Sequence, residues 1–362
     1  MPSRAQILTW AADLRARFET AGAQVVETPI LQPAETLLDL YGENIRARAY
    51  VTSDALKGEQ MLRPDFTVPV VQMHMSDGAE PARYTYAGEV FRRQELDPDR
   101  DNEYIQVGYE IFDRDNPAAA DAEVFALIRD AVSGLPLRPA TGDIGILMAA
   151  VRGLKTTDRR RAALMRHVWR PRRFRTLLDR FAGRTPVPAA RTTLCDAADP
   201  FADSGPQIGR RTKAEVEARI AILKADAAEP PLSETELTAL EALLAVQETV
   251  PFALEQLRDI AVDLPQISPA LDQLRRRSDA MARRGIDVDT LDFEASYGRT
   301  SMEYYDGFVF GFYAERRPDL PPLATGGRYD ALTRQLGQGS EIPAVGAVLR
   351  PGLMLLIEED AA

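Results

Sequence analysis

Cysteine occurs once in this 362-residue sequence, at Cys195, which excludes an intramolecular disulfide and any thiolate cage around a metal. Histidine is nearly as scarce. His74 and His167 are the only two, so no imidazole-rich metal site is expected. Positive charge is in the minority, with 44 lysines and arginines against 55 acids and a net charge of −11 at pH 7. A chain that held RNA through many phosphate contacts would carry a basic surface, and this balance argues against one. Long apolar runs are missing as well. Met1-Pro2-Ser3-Arg4 leads straight into an amphipathic pattern without a signal core, and no later stretch reaches the roughly 18 apolar residues of a membrane span. We therefore expect a soluble, cytoplasmic protein with no membrane partner. No Walker A loop, dinucleotide fingerprint or metal-binding helix motif is present.

What is present is an ordinary globular composition, 45% hydrophobic and 27% charged, long enough for one large domain or two modest ones. Ser3 is a plausible N-cap, and Ile7, Ala11, Leu14 and Phe18 recur at helical spacing until Gly22. Gln24-Val25-Val26-Glu27-Thr28 reads as a short strand ended by Pro29, and residues 39–62 as turn-rich. Residues 83–87 and 104–112 alternate as strands do, joined by a polar loop holding Asp97, Pro98, Asp99 and Asp101. Asp121 opens a helix with Val124, Ile128 and Val132 on one face. Residues 152–184 are rich in arginine and read as solvated faces of short helices, with an RNA-binding face as the alternative. Residues 194–209 look like loop. Ser233 and Glu236 make a capping box, and Ser268-Pro269 starts a helix closed by Gly285. Strand signals return at 291–294 and 307–313, where Phe308, Phe310 and Phe312 read as a core face. Sheet-forming ends around a helical middle predict an α+β fold with an antiparallel sheet. We expect residues 1–142 and 290–362 to be its two halves and 143–289 an insertion with its own small core.

Four runs combine glycine, arginine, acid and tyrosine in a way core strands do not need. They are Leu62-Arg63-Pro64-Asp65-Phe66-Thr67-Val68-Pro69, Phe91-Arg92-Arg93-Gln94, Gln106-Val107-Gly108-Tyr109-Glu110, and Tyr304-Tyr305 with Thr325-Gly326-Gly327-Arg328-Tyr329-Asp330. Each has a plain structural explanation by itself: Glu110 as a solvated or salt-bridged strand residue, Gly326-Gly327 as a turn. Together they suit a free amino acid such as histidine. Asp65, Thr67, Gln106 and Glu110 offer acceptors for its ammonium and ring, Arg92 a cation for its carboxylate, and Tyr305 and Tyr329 walls and hydroxyls.

At these runs the sequence resembles the class II histidyl-tRNA synthetases and their non-catalytic relatives. Val25-Val26-Glu27-Thr28-Pro29 is similar to the first class II motif, at the family's dimer interface. Leu62-Arg63-Pro64-Asp65-Phe66-Thr67 is similar to the synthetase run Leu-Arg-Pro-Glu-Gly-Thr, and Phe91-Arg92 to the start of the second motif. Asp121-Ala122-Glu123-Val124 matches the helix after it, and Tyr304-Tyr305 and Gly326-Gly327-Arg328-Tyr329-Asp330 are similar to the histidine signatures. The resemblance implies a class II synthetase-like antiparallel sheet flanked by helices. It implies that Asp65, Thr67 and Gln106 hold a histidine ammonium, Glu110 and Tyr305 its imidazole, that Tyr329 lines the ring slot and that Arg92 faces the carboxylate.

The departures matter as much. Gln94 stands where the synthetases have the glutamate that binds adenine, Leu353 where the last motif has its phosphate-clamping arginine, and Thr300 at the register of the catalytic arginine, with Arg299 one residue early. Loss of such electrostatic groups costs orders of magnitude in rate. The chain ends twelve residues after Arg350, so we expect no anticodon-binding domain and no tRNA partner. This pattern is similar to the regulatory subunits that accompany short-form ATP phosphoribosyltransferase. It implies a non-catalytic, self-dimerising member of a hetero-oligomer with that catalytic subunit, carrying feedback inhibition by L-histidine and needing no cofactor or metal. The competing expectation is a histidine-adenylating enzyme, with Arg350 as its remaining candidate clamp.

Overall fold

The computed structural model describes residues 2–41, 45–93, 100–202, 204–206, 208–299 and 304–361. Twelve strands occur among them: β1 Gln24–Val25, β2 Leu31–Pro33, β3 Val51–Asp54, β4 Gly58–Leu62, β5 Ala82–Phe91, β6 Glu103–Phe112, β7 Leu137–Asp143, β8 Gln247–Thr249, β9 Asp292–Glu294, β10 Phe308–Ala314, β11 Ala324–Arg328 and β12 Ala344–Leu349. Nine form one sheet in the order β1-β5-β6-β12-β11-β10-β7-β9-β8, antiparallel except where β1 meets β5 and β7 meets β9. The other three make a small sheet, β2-β4-β3, and its β3 and β4 fall within the stretch that reads in sequence as turn-rich.

The first helix, Arg4–Thr20, forms where its spacing predicts. Ser3 caps it, with Gln6 completing the reciprocal bonds, and Ala11, Leu14 and Phe18 are buried against the sheet. The β5–β6 hairpin is paired from Ala82↔Phe112 to Phe91↔Glu103, longer than the alternation alone suggests. Asp97, Pro98 and Asp99 lie outside the described residues. The following helix, Pro117–Ala131, starts at an Asn116 cap, one turn before the expected Asp121. Asn-Pro is the stronger start signal, because proline's fixed φ and missing N–H suit the first helical turn. Phe125 of this helix packs on Phe308, Phe310 and Phe312, with ring centres 6.3, 5.1 and 5.4 Å away, so that face is core.

The helical middle does not close a core of its own. Its Leu164, Phe174, Leu178 and Leu240 belong to the same buried cluster as the sheet. Helix Ser268–Arg283 packs beside Pro117–Ala131, and β8 extends the main sheet. Charge makes the same join. Arg277 reaches Asp143 at 2.7 Å and Asp121 at 3.5 Å, while Arg328 reaches Asp121 at 2.7 Å and Asp330 at 3.0 Å. All but Asp330 are nearly fully buried, so the Asp121 and Asp143 carboxylates need their arginines. Residues 189–196, expected as part-loop, form the helix Ala189–Asp196. Several arginines of 152–184 are paired: Arg160 with Asp226 at 2.9 Å, Arg175 with Glu241 at 3.1 Å and Arg184 with Glu241 at 2.7 Å. Among the described residues no helix is long and apolar enough to cross a membrane, and no cluster of His, Cys, Asp and Glu could hold a metal ion.

Candidate functional site

One face of the large sheet carries a cavity of about 740 Å³. Its floor includes Gln106 of β6, Val309 and Tyr313 of β10, Thr325 and Gly326 of β11, and Gly346 and Val348 of β12. Asp65, Thr67, Arg92 and Tyr305 stand on its walls. Phe174, Arg175 and Leu178, from the helix Pro171–Phe181, cover it from the helical middle.

Gln106 is the most telling of these. It is fully buried, and among the described residues neither its amide oxygen nor its amide nitrogen has a hydrogen-bond partner. Native proteins rarely leave both ends of a buried amide unused, since each costs about 1–3 kcal/mol. A polar ligand in the cavity would satisfy them. Beside it, Arg92 donates from Nε to the Pro64 carbonyl at 2.6 Å, which leaves its Nη2 4.0 Å from the Asp65 carboxylate. A carboxylate and a guanidinium side by side on one wall complement the ammonium and carboxylate of a free amino acid.

Glu110 and Tyr329 are placed differently. Neither is on the cavity wall; both are buried beneath it at 1% exposure. Three hydroxyls converge on the Glu110 carboxylate: Tyr329 donates at 2.6 Å, Tyr86 at 2.8 Å and Thr67 at 3.1 Å. Burial pushes the Glu110 carboxyl up to about 7, against the pull of those three donors. The site gains orientation from this. Because Thr67 spends its proton on Glu110, its lone pairs are left to accept from a ligand N–H. The position depends on Gly346, the cross-strand partner of Glu110, since a Cβ there would lie 1.3 Å from Glu110 Oε2.

Gly326 and Gly327, a turn signal in sequence, lie inside β11. A Cβ on Gly327 would come within 2.7 Å of the Tyr305 ring, so the absent side chain makes room for a wall residue. Tyr305 is held from the other side as well, its carbonyl accepting the Trp169 indole N–H at 3.1 Å. Arg350 donates to the Pro322 carbonyl at 2.8 Å and lines the cavity, held below the ordinary arginine range by burial. Gln94 and residues 300–303 lie outside the described residues.

Sequence reasoning missed the roof. Phe174, Leu178 and Phe181 recur every three to four residues, a stripe that the surrounding arginines hide. It also left Arg299 without a role, although Arg299 is buried and on the wall.

The Histidyl-tRNA synthetase family model matches residues 2–200 and 206–352. An ATP phosphoribosyltransferase regulatory subunit of Brucella ovis is 32% identical over 354 residues, spanning 92% of this chain and 93% of its own. The Brucella abortus protein of the same name is also 32% identical, over 92% of each chain. Among solved structures, an ATP phosphoribosyltransferase regulatory subunit/histidyl-tRNA synthetase from Bacillus halodurans superposes with a TM-score of 0.68 at 22% identity, over 98% of this chain and 79% of that one. A histidine–tRNA ligase subunit from Alicyclobacillus acidocaldarius gives 0.61 at 21% identity, over 100% and 95%. At such identities the two structures speak for the fold alone.

Proposed function

We propose, from the premise that this chain belongs to the ATP phosphoribosyltransferase regulatory subunit family within the histidyl-tRNA-synthetase fold, that it is a non-catalytic histidine sensor acting on a partner enzyme. The partner is a short-form ATP phosphoribosyltransferase catalytic subunit, which carries the chemistry, and the two assemble as a hetero-oligomer in which this chain pairs with itself. Free histidine occupies the cavity. Its ammonium meets Asp65, Thr67 and Gln106, its carboxylate meets Arg92, and its ring lies along Tyr305, with Glu110 and Tyr329 fixing the wall from behind.

The observation that carries this reading is Gln106, a fully buried amide with both ends unpartnered among the described residues, on the floor of a cavity roomy enough for an amino acid. A sensor must bind its effector with different affinity in two assembly states, and the coupling is then reciprocal. The departures from the synthetase pattern at Leu353 and Gln94 support a role without adenylation.

The test is reconstitution. A short-form catalytic subunit that is inactive by itself should transfer phosphoribosyl groups once this chain is added, and histidine should suppress that activity. Gln106→Leu should weaken suppression by at least about tenfold while leaving activation intact. A chain that neither activates the catalytic subunit nor responds to histidine sinks the proposal. Histidine-dependent exchange of pyrophosphate into ATP would favour an adenylating enzyme instead.

A further inference from the structure

The roof helix Pro171–Phe181 has two unlike faces. Phe174, Leu178 and Phe181 are buried, and the first two close the cavity. With 3.6 residues per turn, Arg172, Arg173, Thr176 and Arg180 share the opposite arc. All four are exposed. Arg180 has Asp226 at 3.9 Å, but among the described residues Arg172 and Arg173 form no ion pair. Arg166, which ends the neighbouring helix Asp158–Met165, is exposed and unpaired in the same way.

This is an unusual choice for an acidic chain. The sequence holds 55 acids and a net charge of −11, so a partner for a surface arginine is easily supplied. Arg172 and Arg173 also stand in the first turn of their helix, where the backbone dipole disfavours a cation, and no acid shares that turn. The outer face of the roof is therefore a patch of positive charge that the chain itself leaves unanswered.

We infer that this face, centred on Arg172 and Arg173, docks the catalytic partner of the proposed function through a carboxylate-bearing surface of that partner. The partner's identity rests on the sensor reading given above. Guanidinium forks pair with carboxylates through two parallel hydrogen bonds. A basic patch on an otherwise acidic molecule steers an acidic partner to one place and turns it away elsewhere. The place is apt, because only the thickness of one helix, about 10 Å, separates it from the cavity. A second copy of the chain fits less well here. Self-pairing has an apolar surface available at the small sheet, where Ile30, Leu31 and Val51 are exposed. RNA fits less well too, since a polyanion extends beyond the patch onto acidic surface.

The experiment uses the full chain and a short-form catalytic subunit, with association measured over a range of salt and histidine binding measured by calorimetry. The variant is Arg172→Glu with Arg173→Glu. Acids in a first turn favour the helix, so it should melt at or above the wild-type temperature. Neither residue lines the cavity, and the histidine titration of the free chain should not change. Association with the catalytic subunit should slow by roughly tenfold or more at low salt, and the gap should close as salt rises. Arg276→Glu makes the same kind of charge change on the exposed side of helix Ser268–Arg283, and should associate faster than the double variant. A double variant that associates and activates as the wild type does overturns the docking face. So does an equal loss per charge in Arg276→Glu, which would show general repulsion. Loss of self-association in the double variant, seen by sedimentation, would give the face to a second copy. An RNA that wild type retains and the double variant releases, with the catalytic subunit unaffected, would give it to nucleic acid. The two proposals fail separately. A wild type that associates but ignores histidine ends the sensor reading, while the double variant still decides the face. Histidine that suppresses activity equally with wild type and double variant, at equal association rates, ends the face alone.

Discussion

A carboxylate ringed by three hydroxyls, and held out of water, is a pH-dependent element of stability. Glu110 has its carboxyl raised from the ordinary 4.5 to about 7, chiefly by burial. Between those values the folded chain keeps a proton that the unfolded chain has released. The contribution to stability is therefore complete below pH 4.5 and is lost as pH rises through 7. Glu110→Gln cannot ionise. Its stability relative to the wild type should shift in the variant's favour over that interval, by on the order of 3 kcal/mol, and then level off. Urea denaturation of both proteins at pH 5, 6, 7 and 8 reads this directly, and parallel curves would show Glu110 to be ionised throughout. Gln106, Asp65, Thr67, Arg92 and Tyr305 could be picked from the sequence because several motifs occur in one order, and the structure brings all five to one cavity. That Glu110 and Tyr329 stand behind the wall could not be read, because strand alternation gives the face of a side chain but not its depth.

Among the elements, β12 and β6 depend on each other through Gly346 and Glu110. Gly346→Ala places a methyl group 1.3 Å from the carboxylate in the present geometry, and the neighbouring strands leave the backbone little room to yield. The expected result is destabilisation of about 1–3 kcal/mol, together with loss of histidine-induced stabilisation as Glu110 releases Thr67. Thermal melts with and without histidine check both parts; a variant that melts and binds like the wild type would mean the pair is loosely packed. The sequence marks elements best where caps and spacing agree, as at Ser3 and Ser233. It marks them poorly at β3 and β4. All of β3 is exposed, and in β4 the consecutive Gln60 and Met61 are both buried, so neither strand alternates.

For the molecule as a whole, the shared core and the buried pair of Arg277 with Asp121 bind the helical middle to the sheet. We expect one cooperative unfolding transition. Two tryptophans make this measurable, since Trp10 lies in the first helix and Trp169 beside the roof helix. Denaturant curves for Trp10→Phe and Trp169→Phe, each reporting the remaining indole, should share one midpoint after correction for any common shift. Two separated midpoints would mark the middle as an independent unit. The sequence suggested such a unit because a long-range ion pair such as that between residues 121 and 277 leaves no local trace. The roof helix has one more property. Phe174 and Leu178 look inward, while Arg172, Arg173 and Thr176 stand in water. An inhabitant of the cavity that pushes on Phe174 and turns the helix, rather than only the ring, rotates those outer residues by the same angle. A molecule of a few atoms, hidden from every neighbour, would then be announced as altered relief on the protein's exterior.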